Sequence, residues 1–200
     1  MNSTVRKIAV AATLGMAFAL AAHAHPHVFI SGKASFGFTG AELTSIGIRW
    51  TFDDVFSQMV AADYDKQNKG SFTASEASEL QKGAFDNLKN YHYFLALFVD
   101  GRAIALPPIR NFVPSIEGGR LVYSFQLPLG ISIPPAGREI RLTIYDDTYY
   151  VAFDKMSPAD ISEVDADALD AAVSIEKTKV KASWPGQFMP DQIVLRIKRK

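Results

Sequence analysis

The chain has 200 residues, 48% of them hydrophobic, with 21 lysines and arginines balancing 21 aspartates and glutamates and no cysteine. That length and apolar content suit one globular domain, and the neutral balance excludes recruitment of nucleic acid by net positive charge. Without cysteine there are no disulfides, thiolate ligands or thiol nucleophile, so any metal site must use nitrogen and oxygen.

Residues 1–24 read as a secretory leader: Arg6 and Lys7 are basic, Ile8 to Leu20 is apolar, and Ala22-x-Ala24 offers small residues to a signal peptidase. The apolar run is shorter than the ~20 residues of a membrane span. Cleavage after Ala24 is therefore expected, giving a periplasmic chain that does not itself span the membrane. It would begin His25-Pro26-His27 and carry 19 basic against 21 acidic residues, a net charge of −2.

From there Val28, Ile30, Ala34, Phe36 and Phe38 share one parity and Ser31, Lys33 and Ser35 the other, as in a half-buried strand. His25 and His27 fall on the second parity, so an extended backbone projects both imidazoles from one side, ~7 Å apart at Cα. A free His25 amine beside its own Nδ1 has ring-forming geometry, and such nitrogen ligation suits copper, nickel, cobalt or zinc. Pro26 lacks an amide N–H, which rules out a site needing a deprotonated amide there.

Thr39-Gly40 marks a turn, and Ile46, Ile48, Trp50 and Phe52 alternate as a second strand. The period then changes. Phe52, Val55, Phe56, Met59 and Val60 share a helical face, with Thr51 or Asp53 as N-cap. Ala77, Leu80, Ala84, Leu88 and Tyr91 predict a second amphipathic helix. Between them, Asp65 to Glu76 keeps the register of an EF-hand, with Asp65 at position 1, Gly70 at 6, Phe72 at 8 and Glu76 at 12. Gln67 and Lys69 occupy positions 3 and 5, and a lysine ammonium there repels a dication. Calcium is not expected between Asp65 and Glu76; the loop reads as an ion-free clip, turned at Gly70 and capped by Glu76.

Tyr93 to Val99 predicts a strand, Asp100-Gly101 a hairpin and Pro107-Pro108 a stop. Leu121 to Leu127, Ile140 to Ile144 and Tyr149 to Phe153 predict three more strands, Ser157 to Asp170 a short helix or loop, and Val173 to Val180 and Ile193 to Ile197 the last two strands. Such a pattern predicts a mainly β, α+β fold: a β-sandwich of about eight short strands within a single domain, 25–200. An EF-hand-like helical hairpin is inserted at about 53–90.

Candidate chemistry is sparse. No P-loop, dinucleotide fingerprint, G-x-S-x-G or H-E-x-x-H occurs, and His92 is the one internal histidine, so an enzyme is not expected. His92, between Tyr91 and Tyr93, is either a third ligand beside His25 and His27 or a packed side chain. Asp53 and Asp54 either close a nitrogen–oxygen site or serve the helix start. Asp146 and Asp147 suit a tight turn.

Five stretches together carry a family resemblance. They are His25-Pro26-His27-Val28-Phe29-Ile30, Arg49 to Ser57, the degenerate loop, Tyr93 to Gly101, and Tyr145-Asp146-Asp147-Thr148-Tyr149-Tyr150. They resemble a bacterial family of unknown function labelled as the periplasmic component of an uncharacterised ABC-type transport system. The resemblance implies a periplasmic location and, through the nickel/cobalt-efflux-type permeases often associated with that family, transition-metal handling. His25 and His27 match its motif; His92 does not carry over. The first expectation is an accessory protein that binds a divalent transition metal and serves a membrane metal permease. The alternatives are a copper histidine-brace oxidase or oxygenase, and a metal-independent interaction module for a permease.

Overall fold

In the computed structural model, which describes residues 26–157, 160–162, 169–178 and 189–200, the period-two stretches are strands. The leader, His25, most of the acidic stretch at 157–170 and the end of the strand expected at 173–180 lie outside the described residues. β1 (Val28–Thr39) and β2 (Glu42–Phe52) form a long antiparallel hairpin, with Phe36 opposite Ile46 and Ile30 opposite Phe52. Their alternate side chains, from Val28 to Phe38 and from Leu43 to Phe52, are the ones buried. Half-burial explains the alternation in the sequence.

The helical insertion follows β2, as expected. α1 (Asp54–Tyr64) is capped by Asp53, and α2 (Ala74–Gly83) starts with a capping box between Thr73 and Glu76. The second helix is shorter than its periodicity predicts. It stops at Gly83, Ala84 leaves the helical region, and Phe85–Phe94 continues as a 3₁₀ segment. At the break Phe85 turns inward to stack on Phe112 at 3.9 Å, and the last helical residue, Gly83, leaves room for the Tyr64 hydroxyl where a Cβ would come within 2.7 Å. Packing overrides the helical repeat here.

The remaining strands are β3 (Leu95–Val99), β4 (Arg102–Ile104), β5 (Arg110–Glu117), β6 (Arg120–Ser132), β7 (Arg138–Ile144), β8 (Val151–Met156), β9 (Asp160–Ser162), β10 (Leu169–Lys177) and β11 (Asp191–Arg199). One sheet runs β5-β6-β2-β1-β8, with β9 also on β1; the other runs β10-β11-β7-β3-β4. Their buried side chains form one core, with Trp50, Phe36 and Phe125 among its largest members. The mainly β fold is as expected, but the described residues hold eleven strands rather than about eight. β5 has no sequence counterpart: it is an edge strand with Pro114 in its middle, which edges tolerate and central strands do not. Tyr93 and Phe94 also leave the predicted third strand, which begins only at Leu95.

Across β7, β11 and β10 runs an ion-pair lattice. Arg141 bonds Glu139 at 2.6 Å and Glu176 at 3.1 Å, and Arg196 bonds the same two carboxylates at 2.9 and 2.7 Å. Hydrogen bonds from Arg196, then from Ser174 and Arg141, hold the Glu176 carboxyl down at about 2, against an ordinary value of 4.5. Because the folded carboxyl titrates below the unfolded one, its stabilisation is complete above pH 4.5 and vanishes as pH falls toward 2. Urea midpoints should drop across that window, and Glu176→Gln should flatten the drop. An unchanged slope in the variant would assign the acid lability to other carboxylates.

Candidate binding site

One carboxylate organises the end of the first sheet. Asp53 Oδ1 accepts the Phe56 N–H at 2.9 Å as the α1 cap, while its Oδ2 accepts the Phe29 N–H of β1 at 2.8 Å. Its backbone N–H donates to the Phe29 carbonyl at 2.9 Å. Its carbonyl accepts the Ser57 hydroxyl at 2.6 Å, and that hydroxyl accepts the Leu121 N–H at 2.9 Å, at the start of β6. β1, β2, α1 and β6 are thereby fastened within one turn of helix.

A second carboxylate builds the opposite rim. Asp146 is buried; its Oδ1 accepts the Thr148 N–H and hydroxyl at 2.9 and 2.8 Å, and its Oδ2 the Val151 N–H at 2.9 Å. The turn so fixed aims the Tyr150 carbonyl at β1, where it accepts the His27 N–H at 2.9 Å and the Val28 N–H at 3.4 Å. The Tyr150 ring lies against the His27 imidazole, centroids 4.9 Å apart.

Between these rims lies a largely apolar cavity of about 430 Å³. Val28 and Ile30 of β1, Trp50 and Phe52 of β2, and Phe56 of α1 form one side; Tyr123 of β6 and the Asp146–Val151 turn contribute another. Ala84, Leu88, Tyr91 and Phe94 close it from the 3₁₀ side. His92, Tyr93 and Phe94 hold φ of 52°, 50° and 54°, a left-handed run costing about 1–2 kcal/mol per residue. Burial pushes the Tyr123 phenol up, so it stays protonated. Trp50 is fully buried, yet its Nε1 has no hydrogen-bond partner.

The predicted ligand residues are distributed as follows. His27 is exposed at the start of β1, beside Tyr150, and His92 is exposed on the left-handed turn after Tyr91. Both Asp53 oxygens are engaged by backbone amides, and Asp54 pairs with Arg120 at 2.7 Å. Among the described residues, no three histidine, aspartate or glutamate side chains gather as a metal-binding group, and His25 lies beyond them. In the EF-hand-like loop, Asp65 accepts the Lys69 and Gly70 N–H groups at 3.0 and 2.7 Å. Glu76 accepts the Lys66 and Thr73 N–H groups at 3.2 and 2.8 Å. Backbone amides occupy the oxygens that calcium would need.

Sequence reasoning missed Trp50, Asp146 and Tyr150 as site residues. Parity put Trp50 in the core and composition put Asp146 in a turn. The unpaired indole N–H leaves no trace in the sequence.

Asp53→Ala should cost about 1–2 kcal/mol in urea unfolding and speed amide exchange at both Phe29 and Phe56. Unchanged exchange at Phe29 would mean that the carboxylate does not fasten β1. Millimolar calcium should leave the melting midpoint where it is; a rise would show that the ion displaces the amides from Asp65 and Glu76.

Comparison with known proteins places the chain. A family described as protein of unknown function (DUF1007) matches residues 10–183. An uncharacterized 15.5 kDa protein from the trpE 3′ region of Spirochaeta aurantia is 32% identical over 130 residues, covering 64% of this chain and 91% of that protein. An uncharacterized protein of Haemophilus influenzae is 30% identical over 158 residues, 78% of this chain and 73% of its own length. The chain belongs to the DUF1007 family.

Proposed function

We propose that this DUF1007 protein is a periplasmic accessory protein that captures a divalent transition metal at its N-terminal histidines and serves a membrane metal permease. The observation that carries the reading is the seating of His27. Its backbone bonds the Tyr150 carbonyl, its ring rests on the Tyr150 ring, and its side chain stays exposed. A ligand on so fixed a strand end loses little freedom when it binds a metal. His25, two residues earlier, supplies its amine and imidazole once the leader is cut, and His92 is a candidate to complete the sphere with solvent. The transport label attached to proteins with this His25-Pro26-His27 start supports the permease.

The first test is native mass spectrometry of the chain beginning at His25, titrated with copper, nickel, cobalt and zinc. One ion should bind the native start, and binding should weaken in His27→Ala and in a control with one residue added before His25. It should also weaken on acidification, because imidazole binds metal only when neutral. Equal binding by all three chains would sink the N-terminal site.

A metal-independent interaction module is a second reading, supported by apolar side chains on the insertion. Val55 is 71% and Met59 60% exposed, one helical turn apart on α1. Capture of the permease that survives chelator and His27→Ala but fails in Val55→Asp would select it.

A further inference from the structure

We propose that the groove between β4 and the last residues of β6 is a docking site for an extended peptide segment of a partner protein, one that adds a strand there and brings a carboxylate to Arg102. The inference is independent of the N-terminal metal site, since it uses no histidine.

At this place the two sheets leave their core sides uncovered. Arg102 lies opposite Val99 and Ile104 opposite Leu97, and directly opposed residues share a face of a sheet. Val99 and Leu97 are buried in the core, so Arg102 and Ile104 stand on the core side of β4. Both are nonetheless exposed, Ile104 at 40%. On the other sheet, Ile131 of β6 lies opposite the fully buried Leu43, yet is itself half-buried. Arg102 and Ile104 line one side of a groove of about 700 Å³, and Gly130 to Ser132 line another.

The strands on both sides have an open edge. β4 is the last strand of its sheet. Among the described residues, β6 has no strand partner on its β5 side beyond Gln126, which faces Arg110 at the start of β5. Unpaired N–H and C=O groups along such edges are a template for another chain. Strand addition supplies main-chain hydrogen bonds, while pockets for alternate side chains give specificity. Ile104 and Ile131 provide the apolar part of such a pocket.

The charge of the groove selects the strand. Three ionisable side chains line it, Asp100, Arg102 and Arg138. Arg138 bonds Asp100 and donates from Nε to the Ser132 carbonyl at 2.8 Å, and Asp100 also accepts the Glu139 N–H at 2.9 Å. Arg102 has no ion pair or hydrogen bond among the described residues, so the groove keeps one unmatched positive charge. A charge on the inward side of an edge strand deters apolar strands. A strand that carries a carboxylate turns the same residue into a partner, which is how a repulsive element becomes a specificity device.

The test uses two acetylated, amidated heptapeptides, Thr-Val-Glu-Val-Thr-Val-Thr and the same sequence with lysine for glutamate, titrated against the isotope-labelled chain. The glutamate peptide should shift the amide resonances of β4 and of Leu129 to Ser132 most. It should bind roughly fivefold more tightly than the lysine peptide, the upper range for a solvent-exposed ion pair, and Arg102→Glu should reverse that preference. On the native chain, N-methylation of every second residue blocks one edge of the peptide, and one of its two alternate registers should abolish binding. The proposal is overturned by no binding of the glutamate peptide at millimolar concentration, by equal affinity for both peptides, or by binding that neither N-methylated form weakens. The same amide shifts appearing with protein concentration alone would give the groove to a second copy of the chain and overturn it too.

Discussion

The relay from Phe29 through Asp53 and Ser57 to Leu121 is the constraint on which the rest of this molecule rests. Its bonds tie β1, the start of α1 and β6 at one place, so losing one loosens a junction rather than a single strand. Asp53 spends one oxygen on the helix and one on β1. The capping geometry of α1 and the docking of β1 are therefore not independent choices. Ser57 does the same with a hydroxyl, donating within the helix and accepting from β6. It is buried in a helix whose other inward residue is Val60, where an unpaired hydroxyl would be a liability. Pairing it across to a strand makes it a fastening.

This arrangement explains which parts of the chain could be read in advance. β1, β2, β6 and β7 each bury one face, and burial on one face writes a period of two into the sequence. Asp53 as cap was legible because capping chemistry is local. Its second bond, to a residue 24 positions earlier, is not local and had no signature. β4, short and exposed at a sheet edge, was legible only through the Asp100-Gly101 turn before it, and β5, with Pro114 at its middle, did not read as a strand although Phe112, Pro114 and Ile116 share its inner face. The helix from Ala77 was over-extended for the opposite reason. Ala84, Leu88 and Tyr91 are apolar because they line a cavity or its mouth, and their spacing happens to imitate a helix face.

The EF-hand-like loop satisfies its two end carboxylates with its own main chain. Position 1 and position 12 still bring two carboxylates into one loop, and both are buried. Buried carboxylates need partners. Lys69, at a ligand position of the register, contributes its backbone N–H to Asp65. Hydrogen bonds from Thr73, then from Lys66, lower the Glu76 carboxyl from its ordinary value. The carboxylate form is thus favoured by hydrogen bonds from the loop and the helix start themselves.

Tyr150 connects the two candidate sites. Its carbonyl fixes His27 and Val28, its ring rests on the His27 imidazole, and the same residue lines the cavity. It sits in a turn held by Asp146, next to Tyr149 at a φ of 59°. A strand end whose first hydrogen bonds come from such a turn moves only when the turn moves. Tyr150 and Val28, on either side of that hydrogen bond, both line the cavity, so its wall and the strand end share one support.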